Sequence, residues 1–110
     1  MMPSQTKNQL RQSLKIIIGY LNPEKIILFG SRANGNFSEN SDYDLFILKE
    51  GILHKRKATQ ELYKLLYPTK LAIDLIIETP ENFESLKSHT SLIYYQVDKF
   101  GKVVYEKKMK

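Results

Sequence analysis

The sequence predicts an α/β (α+β) domain in which helices pack on a small mixed β-sheet. Three observations lead there. Apolar residues recur at helical spacing in separate stretches, short apolar runs of strand length lie between them, and two of those runs follow one another with no helix in between. A chain of 110 residues has room for a single domain, 1–110, with a modest core.

Taken in order, Leu10, Leu14, Ile17, Ile18 and Leu21 fall on one helix face, with Lys7, Arg11 and Lys15 on the polar side. Ser4 is the candidate N-cap, and Asn22-Pro23 stops the helix. Lys25 to Phe29, ending at Gly30, reads as a buried strand. Residues 31–42 are rich in Gly, Asn and Ser and read as a loop. Tyr43 to Leu48 is a second strand, and Lys49-Glu50-Gly51 a turn.

His54 to Leu66 is helical through Ala58, Leu62, Leu65 and Leu66, and Tyr67-Pro68 ends it. Lys70 to Ile77 is a third strand, with Asp74 set among apolar residues. Thr79-Pro80-Glu81 supplies an N-cap, a proline at the first helical position and an acid in the first turn. Ser91 to Phe100 forms another helix through Ile93, Val97 and Phe100, with Gly101 as C-cap. Lys102 to Tyr105 closes the sheet as a short edge strand, and residues 1–5 and 106–110 read as frayed ends.

With 42% hydrophobic and 26% charged residues the chain is expected to fold rather than stay disordered. The net charge of +5, from 17 basic and 12 acidic side chains, favours contact with phosphates, nucleic acid or an acidic partner. Part of that excess sits in Glu106-Lys107-Lys108-Met109-Lys110; without it the surplus is small, and a dedicated nucleic-acid binder is disfavoured. There are no cysteines, which excludes disulfides and thiolate metal sites. No apolar stretch approaches the roughly 18 residues of a membrane span. The polar N-terminus is unlike a signal peptide, so a soluble, cytoplasmic protein is expected.

The chemistry concentrates in three places. Asp42 and Asp44 flank Tyr43 at the start of a strand, so both carboxylates point to one side. Two such acids repel unless a cation sits between them, and oxygen ligands of this kind suit Mg²⁺ with substrate phosphates. Ser-Asp-x-Asp is equally turn chemistry when taken alone. Asp74 lies between Ile73 and Leu75 in a run with no other polar side chain, where an unpaired buried carboxylate would be costly. A metal, a basic side chain or a rim position would each answer that cost. Gly30-Ser31, at the end of a strand, lets backbone approach a ligand closely, and the Ser31 hydroxyl and Arg32 guanidinium offer donors suited to phosphate. A turn glycine and a surface arginine are the plainer alternatives. Gly30 and Gly35 have P-loop spacing, but Asn36-Phe37 stands where Lys and Ser/Thr are required.

Together these residues read Gly-Ser-x₁₀-Asp-x-Asp, from one strand through a loop into the next. This resembles the signature of the polymerase-beta-type nucleotidyltransferase superfamily, in its minimal nucleotidyltransferase branch. The resemblance rests on Leu28-Phe29-Gly30-Ser31-Arg32-Ala33, Gly35, Ser41-Asp42-Tyr43-Asp44-Leu45 and Ile73-Asp74-Leu75, and more weakly on Gly101-Lys102-Val103-Val104-Tyr105.

The resemblance implies the polymerase-beta-like fold. It also implies a metal-binding pair at Asp42 and Asp44, a third catalytic and metal-binding acid at Asp74, and a nucleotide phosphate-holding turn at Gly30 and Ser31. Arg32 joins them as a further phosphate contact. Two Mg²⁺ ions and a nucleoside triphosphate, ATP by default, are the expected cofactor and substrate. With no length for an acceptor-gripping domain, the acceptor is expected in trans, on another protein or within a homo-oligomer. The branch is often paired with a HEPN-family toxin, which the small domain counters as antitoxin, in some cases by adenylylating a toxin tyrosine. A non-catalytic binding antitoxin and a transferase acting on a small molecule are the alternatives. A basic patch of Arg56, Lys57 and Lys64 for nucleic acid reads as well as a solvated helix face. His54 and His89 read as surface histidines, and Tyr63, Tyr67, Tyr94 and Tyr95 as core or interface aromatics. The polar loop 34–40 is a candidate partner contact.

Overall fold

A computed structural model describes residues 4–35 and 41–108. Its elements are α1 (Ser4–Leu21), β1 (Lys25–Phe29), a one-turn α2 (Ser31–Asn34), β2 (Tyr43–Leu48), α3 (Lys55–Leu66), a 3-10 turn (Tyr67–Thr69), β3 (Ile73–Glu78), α4 (Pro80–Leu86), α5 (Ile93–Phe100) and β4 (Lys102–Glu106). The strands form one mixed sheet in the order β3-β2-β1-β4. β1 runs antiparallel to β2 and β4, whereas β3 lies parallel to β2. Parallel neighbours need a long crossover, and α3 supplies it.

Both faces of the sheet are covered. On one, Ile17 of α1 and Leu62 and Leu66 of α3 pack on Ile26, Leu45, Ile47, Leu75 and Ile77. On the other, Phe83 of α4 and Val97 of α5 pack on Ile27, Phe29, Phe46 and Leu48. Strands buried on both sides read as continuous apolar runs instead of alternations, which is why a single acid within them stands out. Gly101 seats α5 against β1: a Cβ there would run into the Val97 carbonyl oxygen and the Ile27 side chain. Its φ of −72° is ordinary, so close approach, and not a left-handed cap, is what requires glycine.

The boundaries differ from expectation in places that have local causes. The third strand starts at Ile73, not Lys70, because the chain is still turning there: Lys70 adopts a φ of 61°, and Thr69 Oγ1 donates to the Leu66 carbonyl at 2.7 Å. It then runs on through Glu78. Ser31–Asn34, expected as loop, forms a helical turn closed by Gly35 at φ 84°. Residues 36–40, most of the candidate partner-contact loop, lie outside the described residues. Ser4 belongs to α1 instead of capping it. At the other end Glu106 completes β4, and the Lys107 amide donates to the Glu24 carbonyl at 2.9 Å, so the ordered chain extends into the expected tail. Among the described residues no helix is long and apolar enough to cross a membrane.

Candidate active site

Three chain segments converge at one end of the sheet. β1 finishes there and hands over to Gly30, while β2 and β3 begin there. Asp44 pairs in register with Phe29 on one side and with Asp74 on the other. Since side chains alternate, Asp44 shares its face with Phe46, and Asp74 shares the same face with Ile76. That is the face α4 and α5 cover further along. The helices leave its end open: Asp44 is half-buried, and Asp42 and Asp74 are exposed.

Gly30 adopts φ 74° and ψ −156°, a region that residues with a Cβ avoid. A Cβ at this position would overlap the Asp44 carboxylate. The turn and the acid are thus packed against one another. Gly30 also opens α2, its carbonyl accepting from the amides of Ala33 at 3.1 Å and Asn34 at 3.3 Å. Buried Ala33 anchors that turn beneath the half-buried Ser31 and Arg32.

Electrostatics follow from the crowding of acids. Burial, then the charges of Asp74 and Asp42 and a hydrogen bond with Asp74, hold the Asp44 carboxyl above its ordinary range. Burial, the charge of Asp42 and a hydrogen bond with Asp42 raise Asp74, against an opposing hydrogen bond with Asp44. Among the described residues no three His, Cys, Asp or Glu side chains already enclose an ion position. The donor chemistry nevertheless fits a divalent cation, because it would remove the repulsion that raises these two groups.

Arg32 turns toward the entry of β2. Its Nε and Nη2 donate to the Ser41 carbonyl at 3.2 and 3.0 Å, and its guanidinium lies 4.4 Å over the Tyr43 ring. Asp74 occupies a rim position, so it carries little of the cost of a buried, unpaired charge.

That cost belongs instead to Glu78, four residues on and 4% exposed, which is not among the expected site residues. Its Oε2 accepts from Lys55 Nζ at 3.1 Å, the Thr79 amide at 2.8 Å and Asn82 Nδ2 at 3.0 Å, and its Oε1 from the Tyr94 hydroxyl. Burial pushes this carboxyl up, but the Tyr94, Thr79, Lys55 and Asn82 donors outweigh it and bring it down to about 2. Glu78 ties α3, α4 and α5 to the far end of β3 and is separate from the acid cluster. Period two from Asp74 would have placed it on the same buried face, had the strand not been ended at Ile77.

Of the other candidates, His54 and His89 are exposed, and so are Arg56, Lys57 and Lys64, the last paired with Glu61 at 3.4 Å. The Tyr63 hydroxyl accepts the Leu75 amide at 2.9 Å, while Tyr67 is 83% exposed.

Residues 11–110 match the family described as Polymerase beta, Nucleotidyltransferase. Among solved structures, a toxin–antitoxin crystallised with AMP-PNP is 26% identical, superimposes with a TM-score of 0.65, and is matched over 92% of this chain and 73% of that one. A mutant of the toxin–antitoxin MntA-HpeT is 24% identical, with a TM-score of 0.64 over 89% of this chain and 73% of that one. A candidate nucleotidyltransferase from Sulfolobus solfataricus is 17% identical, with a TM-score of 0.55 over 97% and 91%. The latter two, at 24% and 17% identity, bear on the fold alone. No curated protein matches the chain.

Proposed function

Since this chain belongs to the polymerase-beta nucleotidyltransferase family, and so is a nucleotidyltransferase, we propose that it moves a nucleoside monophosphate, AMP from ATP by default, onto a hydroxyl of a partner protein. The partner is a HEPN-type toxin, and the chain acts in the cytoplasm as its antitoxin. The observation that carries the chemistry is the meeting of Asp42, Asp44 and Asp74 with the Gly30-Ser31 turn at one open end of the sheet. Support for the antitoxin role comes from likeness to a toxin–antitoxin crystallised with AMP-PNP.

Asp42, Asp44 and Asp74 would hold two Mg²⁺ ions, which when bound neutralise the triphosphate and acidify the acceptor hydroxyl. The Gly30 backbone and the Ser31 hydroxyl hold the triphosphate, with Arg32 beside them. The acceptor oxygen bonds to the α-phosphorus, the bond from that phosphorus to the bridging oxygen breaks, and pyrophosphate leaves. Asp74, exposed at the rim of the cluster, helps take the acceptor proton. Positioning and charge neutralisation supply most of the rate.

The test is transfer of label from α-labelled ATP in Mg²⁺, with and without a HEPN-type partner, beside Asp42→Asn. Label on the partner that is lost in the variant supports the reading. No label from any of the four triphosphates, with both proteins folded, replaces it with antitoxin action by contact alone.

A further inference from the structure

We infer that Arg32 is a positioning residue: it sets the backbone of Asp42 and couples the phosphate-holding turn to the metal-binding acids. The inference rests on the metal-dependent reading above and gives Arg32 a different task from contacting phosphate.

Asp42 stands just ahead of β2, where no strand pairing fixes it. Its orientation is set by rotation about the two bonds at its Cα, and each of those bonds leads to a planar peptide unit. Both units are held. The one before Asp42 carries the Ser41 carbonyl, which accepts from Arg32 Nε and Nη2 at 3.2 and 3.0 Å. The one after it carries the Tyr43 amide, which donates to the Ala72 carbonyl at 2.9 Å. The same guanidinium lies over the Tyr43 ring at 4.4 Å, and Tyr43 is only 2% exposed, so the platform under Arg32 belongs to the core. One side chain therefore grips both neighbours of Asp42, one through its carbonyl and the other through its ring.

The origin of Arg32 gives the contact its consequence. It is the second residue of α2, directly after Ser31 and two after Gly30. A shift of the Gly30-Ser31 turn is transmitted through Arg32 to the peptide before Asp42. Only arginine can do this: a lysine keeps the charge but has neither the two-pronged donor edge nor the flat surface that stacks on tyrosine.

The test compares wild type with Arg32→Lys and Arg32→Ala in three measurements: Mn²⁺ binding, hydrogen exchange of the Tyr43 amide in metal-free buffer, and the separate kcat and KM for ATP. Outer-sphere support of a metal ligand is worth about ten- to a hundredfold in affinity. Arg32→Lys is expected to weaken Mn²⁺ binding about tenfold and to speed Tyr43 exchange, while kcat falls and the KM for ATP stays within about twofold. A purely structural role would lower thermal stability without moving Mn²⁺ affinity, and that result overturns the inference. So does a phosphate contact, whose mark is a raised KM for ATP, rescue by lysine, and unchanged Mn²⁺ binding and exchange. A wild type that binds no Mn²⁺ overturns the metal reading and this role with it. Wild type and Arg32→Lys binding Mn²⁺ equally overturns this role alone.

Discussion

Gly30 and Asp44 share one volume: the carboxylate of Asp44 fills the place where any other residue at position 30 would carry its Cβ. The Gly30-Ser31 turn and the central acid are therefore a single packed unit. Gly30→Ala forces a side chain into φ 74°, at about 1–3 kcal/mol of backbone strain, and displaces Asp44 besides. The expected outcome is a lowered melting temperature together with a loss of transfer larger than the destabilisation accounts for. Calorimetry beside initial rates, at a temperature where the variant is fully folded, separates the two effects.

The acids themselves should behave oppositely in stability and activity. Burial and neighbouring negative charge raise both Asp44 and Asp74, which means that their ionised forms work against the metal-free fold. Asp44→Asn removes a repelling charge and is expected to raise the melting temperature in metal-free buffer at neutral pH while abolishing transfer. Asp42→Asn and Asp74→Asn should likewise abolish transfer with the fold intact. Melting curves in chelator and then in Mg²⁺ check this: wild type should gain stability from the ion and Asp44→Asn should not. An Asn variant with normal turnover removes its acid from the mechanism.

Much of this end of the molecule was legible because its chemistry is local in sequence. Glycine at a strand end, a serine after it, and two acids spaced by one residue declare a turn and a shared face without any tertiary information. Asp74 was legible as an interruption of an apolar strand, and of the answers open to it the rim position is the one it takes. Glu78 was not legible, because its four donors come from α3, α4, α5 and the next residue, and their convergence is a property of packing. The task inferred for Arg32 was hidden in the same way, for its partners Ser41 and Tyr43 lie beyond the turn and across the loop.

Gly101 illustrates a right position with a different cause. Expected as the C-cap of α5, it is that cap, but with an extended backbone, and glycine is required there by contact with Val97 and Ile27. Gly101→Ala should therefore cost about 1–3 kcal/mol through overpacking, not through strain in φ. Pairing it with Ile27→Ala, which removes the contacted Cγ2 methyl, should cost less in chemical denaturation than the two single losses added together. Additive losses in the double variant would show that the Ile27 contact is not the cause.

Glu78 is expected to set the acid limit of stability. Its carboxyl is brought from 4.5 down to about 2, so the folded state holds it ionised more tightly than the unfolded chain does. For an acid with a lowered value the stabilisation is present above about 4.5 and is lost as pH falls from there toward about 2. The size is about 3 kcal/mol for a carboxylate only 5% exposed. Tyr94, pushed up to about 12 by burial and by Glu78, works the other flank: its share is present below 10.0 and is lost as pH rises toward about 12. Denaturant unfolding of wild type from pH 7 to 2 should show a steep fall below pH 4.5 that is much shallower in Glu78→Gln. Tyr94→Phe should make the fall smaller and end it at a higher pH, because the carboxylate loses the strongest of its lowering contacts. Parallel acid curves for wild type and Glu78→Gln would place the acid sensitivity elsewhere in the molecule.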